Sequence, residues 1–344
     1  MDTGRTGSIG VGVVGCGYWG PNHIRNLTAN RRTRLVYACD LDQDRLNHIG
    51  ALYPQTCRTT RLDEMLADPQ LDAVVIATPV STHARLAGQA LAAGKHVFIE
   101  KPMTKTLAEA EDLVRTARGA EKILMVGHTF LYAPAVQMIK RTIESGALGD
   151  LYYVNMQRLN LGLFQTDINV VWDLAPHDVS ILLYLLEEKP IAVSAHGRAN
   201  IHRDIEDVAM VQIQFEKGLI AFLHVSWVDP KKVRRAVFVG NKKMLVYDDI
   251  KDSEKVEIFD KGVSAPMHYD TFAEFKFAYR YGEKVTPYIH EEEPLKIQTA
   301  HFLECIATGM KPRTSGEDAL SVLRVLEACQ RSIKNGGAFV PVGG

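Results

Sequence analysis

Three glycines, an aspartate, a lysine and an aspartate–histidine pair are the residues of this chain whose types and spacing can do chemistry. Gly15, Gly17 and Gly20 spell G-x-G-x-x-G directly after the apolar run Ile9–Val14, where a buried strand would turn into a helix. Such a turn uses each glycine differently: Gly15 for the tight turn, Gly17 for backbone approach to a pyrophosphate, Gly20 for close packing of helix on strand. The N-terminus of that helix offers free N–H groups and a positive dipole end to phosphates. Asp40 closes the next apolar run, LVYAC, about 20 residues past Gly20, where a carboxylate hydrogen-bonds a ribose 2′-OH and repels a 2′-phosphate. Asp42 suits the cap of the following helix better than Asp40 does. The spacing predicts a dinucleotide site, with NAD favoured over NADP.

Oxidising an alcohol by hydride transfer also requires a base for the hydroxyl proton. Lys101, in Glu100-Lys101-Pro102 after the apolar run His96–Ile99, is a candidate acceptor or relay. A surface ion pair between Glu100 and Lys101 explains the same residues as well. Asp173 and His177 stand four apart at an expected helix start and would share one face of its first turn. Asp173 suits the N-cap, and Pro176 is tolerated there because an early N–H has no intrahelical partner. A capping aspartate beside a hydrogen-bonded histidine is the plain alternative. Asp173, His177 and His128 invite a metal, but no H-E-x-x-H and no Cys/His cluster supports one, so no metal is expected. No G-x-S-x-G elbow supports a serine hydrolase.

The elements that must position these groups are legible in the hydrophobic pattern. Strands at Ile9–Val14, Leu35–Cys39, Thr56–Thr59, Leu71–Ala77, His96–Ile99 and Ile123–Val126 alternate with helices at Gln43–Leu52, Thr82–Ala93 and Thr106–Arg118. That alternation predicts a doubly wound parallel sheet, an α/β Rossmann domain over 1–128, with its loops at one cleft beyond the strand ends. Beyond residue 129 the pattern changes. A helix, Pro134–Ser145, a strand, Leu151–Leu161, and a helix, Leu174–Leu186, precede the hairpin Glu206–Phe215 and Leu219–Trp227. Strands Arg235–Val239, Met244–Tyr247 and Lys255–Phe259 extend a large, mostly antiparallel open sheet, and helices Leu295–Thr308 and Gly316–Asn335 close the chain. The expected organisation is a Rossmann domain (1–128), an α+β domain for substrate and oligomerisation (129–294), and closing C-terminal helices (295–344).

Composition narrows the function classes. At 344 residues the chain exceeds one ordinary core, and 46% hydrophobic with 24% charged residues is ordinary for a globular protein. A net charge of −1 gives no electrostatic case for nucleic acid or an anionic membrane. The polar start MDTGRTGS and the short run after it predict neither signal peptide nor membrane span. Five scattered cysteines without C-x-x-C spacing read as buried thiols in a reducing cytoplasm. One semi-polar face of the open sheet predicts a homodimer or homotetramer.

GVVGCGYWG, Asp40, IATPVSTH, Glu100-Lys101-Pro102, the D-x-x-x-H of Asp173–His177 and the ending HFLECIATGMKPRTSGEDALSVLRVLEA, in this order, resemble the Gfo/Idh/MocA oxidoreductase family over essentially the whole chain. The resemblance implies NAD(P)-dependent oxidation of a hydroxyl, or the reverse reduction, on sugars, inositols or sugar nucleotides. It implies Lys101 in catalysis, His177 as second acid/base group and Asp173 binding a neighbouring hydroxyl. A cis peptide before Pro102 is common in similar proteins, Thr78, Pro79 and His83 stand where relatives contact the cofactor, and Glu100 and Lys101 are expected against the cofactor as well. Asp178 departs from the family's usual H-x-x-D, whose last place holds Ser180. The segment WDLAPHDVSILLYLL is most similar to enzymes acting on nucleotide-activated amino sugars, often at the 3-position. The other readings are a free-sugar, glycoside or inositol dehydrogenase or ketoreductase, NAD-assisted glycoside cleavage, and a non-catalytic dinucleotide-sensing regulator.

The remaining candidates each have a plainer alternative. Tyr18 and Trp19 could stack on the pyrophosphate or nicotinamide, or Trp19 could be core; His83 could be an ordinary helix-start residue. Gln165, Thr166, Asn169 and Trp172, just before Asp173, with Arg158 and Asn160 on the preceding strand, could hydrogen-bond sugar hydroxyls. A connecting loop explains QTDINVVW nearly as well. Lys231, Lys232, Arg234 and Arg235 could neutralise a diphosphate, but such a run is more often a solvated strand edge.

Overall fold

The structure, a computed structural model, describes residues 8–166, 168–264 and 277–343. The polar start read from MDTGRTGS rests on residues 1–7, outside the described residues. The chain forms two compact units, Met1–Tyr132 with Glu292–Leu323, and Ala133–Glu291 with Arg324–Gly344.

In the first unit β1 (Ile9–Val14), α1 (Gly20–Ala29), β2 (Thr33–Cys39), α2 (Gln43–Leu52), β3 (Cys57–Thr59), α3 (Leu62–Ala67), β4 (Ala73–Ile76), α4 (Val80–Ala92), β5 (His96–Ile99), α5 (Leu107–Gly119) and β6 (Leu124–Val126) follow one another. The six strands pair in parallel in the order β3-β2-β1-β4-β5-β6. The sheet is valine- and isoleucine-rich because both of its faces are covered; β4 is buried at every residue. Strand order reverses between β1 and β4, and in such sheets ligands bind at that switch point, beyond the strand ends.

The second unit runs through α6 (Pro134–Glu144), β7 (Leu151–Leu161), α7 (Val170–Leu186), β8 (Pro190–Arg198), β9 (Val208–Phe215), β10 (Ile220–Ser226), β11 (Val228–Gly240), β12 (Met244–Asp248), β13 (Val256–Ser264) and β14 (Ala278–Val285). Helix α8 (Pro294–Thr308) belongs to the first unit, α9 (Gly316–Lys334) contains the division between the units, and β15 (Val340–Pro341) ends the second. The nine strands form one sheet, β14-β13-β12-β11-β7-β10-β9-β8-β15. Only β7 and β10 pair in parallel among its described ladders. Alternation buries Val154, Met156 and Arg158 of β7 with Ala221, Leu223 and Val225 of β10 on one face. No helix among the described residues is long and apolar enough to cross a membrane.

Five elements were not read from the pattern: α3, β8, β14, β15 and a 3-10 helix at Thr129–Tyr132. The start of α7 also differs from expectation. Its N-cap is Asn169, whose side chain accepts from the Trp172 amide, and Asp173 lies in the first turn instead of at the cap. Pro176 consequently falls inside the helix, where it removes the amide that would bond the Trp172 carbonyl.

Candidate functional site

The glycine loop is built as a phosphate cradle needs. Gly15 has φ +92°, and its amide donates to the Cys39 carbonyl at 2.8 Å. A Cβ on Gly20 would fall 2.0 Å from the Gly15 carbonyl oxygen, so α1 can approach β1 only without a side chain there. A Cβ on Gly17, by contrast, would meet nothing nearer than an Arg45 nitrogen at 3.5 Å. Its backbone is open to a ligand. Pro21 in the first turn of α1 removes an amide that has no intrahelical partner.

Asp40 fastens this loop to the end of β2. One carboxylate oxygen accepts from the Cys16 amide at 2.6 Å and the other from the Asp42 amide at 2.9 Å, with the Arg45 guanidinium 3.8 Å away. Asp42 caps α2 through the Asp44 and Arg45 amides. Each Asp40 oxygen keeps a further lone pair for a ribose hydroxyl. Beside it opens a recess of about 1150 Å³ whose walls include Gly15, Gly17, Tyr18, Trp19, Asp40 and Thr78. Pro79, Arg45, Leu41, Arg61 and Leu62 complete one side. Tyr18 and Trp19 are 83% and 43% exposed and meet edge to face at 5.3 Å, so neither belongs to the core. The cradle, the carboxylate and the apolar flank fit a dinucleotide with a free 2′-hydroxyl.

That geometry makes Asp40 the discriminator between cofactors. Asp40→Ala is expected to narrow the NAD over NADP preference in kcat/KM by about tenfold, the worth of one hydrogen bond to a charged group. Removing the carboxylate also frees Arg45 to face a 2′-phosphate. An unchanged ratio would remove Asp40 from this role.

Two residues expected against the cofactor are placed otherwise. His83 is buried in the first turn of α4, its ring nitrogens 2.8 Å from the Thr78 carbonyl and 3.0 Å from the Pro102 carbonyl. It ties the loops after β4 and β5 together and is not among the walls of the recess. Burial lowers its pKa, and the facing carbonyls work against that shift. Glu100, also buried, meets the His23 ring at 2.8 Å and accepts from the Lys101 amide at 3.2 Å. Glu100 therefore pairs with a buried histidine. Lys101 itself is half-buried at the end of β5, and its peptide bond to Pro102 is cis. His128, beyond β6, is buried with neither ring nitrogen hydrogen-bonded; burial and the nearby Lys101 charge push its pKa down to about 4. Among the described residues no group of three or more His, Cys, Asp or Glu gathers as metal ligands.

The second unit gathers Asp173, His177, Trp172 and Asn160 around the start of α7 and the end of β7. Asp173 and His177 are both half-buried on adjoining turns of α7. The Asp173 carboxylate accepts from the Trp227 indole at 3.0 Å. Asn160 has a buried Oδ1 with no hydrogen-bond partner, an acceptor that a ligand hydroxyl would satisfy. Gln165 and Thr166 lie in the loop between β7 and α7, with Thr166 exposed.

Arg158 and Asn169 do not serve as expected. Arg158 is buried and grips Asp178 through Nε and Nη2 at 2.8 to 3.2 Å. Burial disfavours its charge, yet the facing carboxylate outweighs that and holds the guanidinium's pKa above its usual value. Asp178, the departure from the expected motif, is thus the partner of a buried arginine. Asn169 is spent as the cap of α7 and donates to Glu206 and Gln330. In the basic run, Arg234 pairs with Asp249 at 3.3 Å, and Lys231, Lys232 and Arg235 are exposed.

Trp227, His23 and Arg45 take part in these sites without having been singled out. Trp227 ends an alternating strand and reads as core; the oddity of a buried indole needing an acceptor was its only signal. His23 lies one turn into α1, where the helix faces the strand ends.

Comparison with known proteins agrees with this architecture. Residues 9–128 match the family model described as "Oxidoreductase family, NAD-binding Rossmann fold", and residues 136–246 match the "GFO/IDH/MocA C-terminal domain". The scyllo-inositol 2-dehydrogenase (NAD(+)) of Bacillus subtilis (strain 168) is 28% identical over 94% of each chain. The UDP-N-acetylglucosamine 3-dehydrogenase of Acidithiobacillus ferrooxidans is 32% identical over 65% of this chain and 69% of its own. The crystal structure of GenD2 from gentamicin A biosynthesis, in complex with NAD, superposes with a TM-score of 0.82 at 26% identity, covering 98% of this chain and 97% of GenD2. The glycine cradle, the aspartate after β2 and the two-part sheet architecture thus coincide with the matches along the chain, which belongs to the Gfo/Idh/MocA family of NAD-dependent oxidoreductases.

Proposed function

We propose that this dehydrogenase oxidises a secondary hydroxyl of a nucleotide-linked sugar, at C3 of an amino sugar. The observation that carries a polyol substrate is the group on α7 and β7: a half-buried carboxylate, a half-buried imidazole and an orphaned amide oxygen, all suited to hydroxyls. The amino-sugar nucleotide is supported by the segment Trp172–Leu186 and by the 32% identity to a UDP-N-acetylglucosamine 3-dehydrogenase. An inositol is the second reading, supported by an inositol dehydrogenase that matches 94% of both chains.

NAD, when bound, supplies the hydride acceptor. The proton is the chain's task. Lys101 receives or relays the hydroxyl proton, and His177 serves as the second acid/base group. Asp173 accepts a hydrogen bond from a neighbouring hydroxyl, and Asn160 Oδ1 from another. The Gly17 backbone and the N-terminus of α1 hold the pyrophosphate, and Asp40 the ribose.

The test is nicotinamide absorbance with UDP-, dTDP- and GDP-sugars, free sugars and inositols, with mass spectrometry of products. Reduction with a nucleotide amino sugar, giving an intact keto-sugar, is expected. Turnover confined to inositols moves the substrate to the second reading. A released leaving group places the enzyme with NAD-assisted glycoside cleavage.

The proposal extends to assembly. Tyr153, Met210 and Phe222 are 41–52% exposed on the open face of the nine-stranded sheet, interleaved with Gln212 and His224. Pairing of that face between copies would cover them. Light scattering at micromolar concentration is expected to give a dimeric or tetrameric mass, and a monomeric mass overturns the assembly.

A further inference from the structure

We propose that Trp227 is a positioning residue for the substrate-binding carboxylate, an inference that rests on the reading of Asp173 just given. Trp227 is 1% exposed at the junction of β10 and β11, and its Nε1–H donates to Asp173 Oδ2 at 3.0 Å. An indole nitrogen is a donor only, and a buried donor left without an acceptor is costly, so ring and carboxylate fix each other.

The same residue holds the chain on either side. Its amide donates to the Asp207 carbonyl at 2.9 Å, and its own carbonyl accepts from the Gly162 amide at 3.0 Å. Its ring meets Phe164 with centroids 5.6 Å apart and planes inclined by 59°. One side chain and its backbone therefore seat both the loop leaving β7 and the carboxylate on the first turn of α7.

A neutral donor has a particular consequence here. The indole N–H takes one lone pair of one Asp173 oxygen and restrains the carboxylate's rotation about its side-chain bonds. A group that must accept from a substrate hydroxyl at a fixed angle needs that restriction, because misplacement by an ångström costs much of the rate. Filling the core alone would not need it; phenylalanine fills space without aiming an N–H at a carboxylate.

Trp227→Phe separates the two. It keeps an aromatic ring against Phe164 and removes the N–H. With the holoenzyme, kcat/KM for the sugar is expected to fall about 10- to 100-fold, the worth of a hydrogen bond to a charged group, with the Kd for NAD unchanged. In an Asp173→Asn background the same substitution is expected to add no further loss, because residues acting as one unit are not additive. Losses that multiply, or full activity of Trp227→Phe while Asp173→Asn is impaired, overturn the proposal.

A readout independent of turnover accompanies the kinetics. The chain has three tryptophans, so its indole N–H spectrum holds three side-chain signals, assigned by Trp19→Phe and Trp172→Phe. The Trp227 signal is expected to move upfield in Asp173→Asn, and a signal that stays in place overturns the contact, even should Trp227→Phe fail to fold. Should Asp173→Asn turn over as the wild type while that signal still moves, the failure lies in the role given to Asp173 and not in the indole bond.

Discussion

Lys101→Ala is expected to lower kcat by about 10²- to 10⁴-fold, the range over which a positioned acid or base contributes, while leaving the Kd for NAD within a small factor of wild type. The separation follows from where the lysine lies. The dinucleotide recess is walled by residues after β1, β2, β3 and β4, whereas Lys101 stands beyond β5 and is not among those walls. Its backbone is held independently of its amine: the amide donates to Glu100, which is fixed in turn by His23, and Pro102 is clamped through its carbonyl by His83. Truncating the side chain therefore removes a proton carrier from a loop that keeps its course. Stopped-flow single turnovers with NAD titrated by fluorescence check both halves. A kcat within a few-fold of wild type would move the proton to another group, and a parallel loss of NAD affinity would make Lys101 a binding residue.

The largest effect on stability is expected at a residue with no part in the chemistry. Asp178→Ala should destabilise the protein by about 3–5 kcal/mol, because it strands a buried arginine charge. Arg158 and Asp178 are 7% and 2% exposed and joined by hydrogen bonds of 2.8 to 3.2 Å. For a unit of this size the loss corresponds to a fall in melting temperature of roughly 10 °C. Arg158→Met combined with Asp178→Leu should recover most of it, since replacing a buried pair by apolar groups of similar volume is close to neutral. Calorimetry of the two variants beside the wild type decides the matter; an Asp178→Ala variant that melts with the wild type would overturn the expected loss.

How far the sequence announced this architecture depends on where the information lay. The Rossmann half was legible because its strands are continuous buried runs punctuated by glycine and helix starts, a local signal. β14 was not: AYRYGEKV is exposed at every residue, so no face of it carries a hydrophobic period. The start of α7 was misjudged because asparagine and aspartate cap equally well, and the choice fell to Asn169 through its bonds to Glu206 and Gln330, partners far along the chain. Arg158 looked like a hydroxyl ligand for the same reason, since its type and strand position said nothing of Asp178 beneath it. Resemblance singled out Lys101, Asp173 and His177 as candidates; the indole that bonds Asp173 was not singled out, because Trp227 looks like any other buried strand residue.

One edge of each sheet is finished by residues 314–341. β6 closes one side of the parallel sheet, where the Val126 amide donates to Thr314 and Met125 bridges Ser315. At the far side of the other sheet, Val340 and Pro341 pair with β8. During synthesis, then, both edges stand unpaired until residues 314–341 have left the ribosome. A nascent chain of this protein therefore carries two open strand edges at once until these late residues cover them.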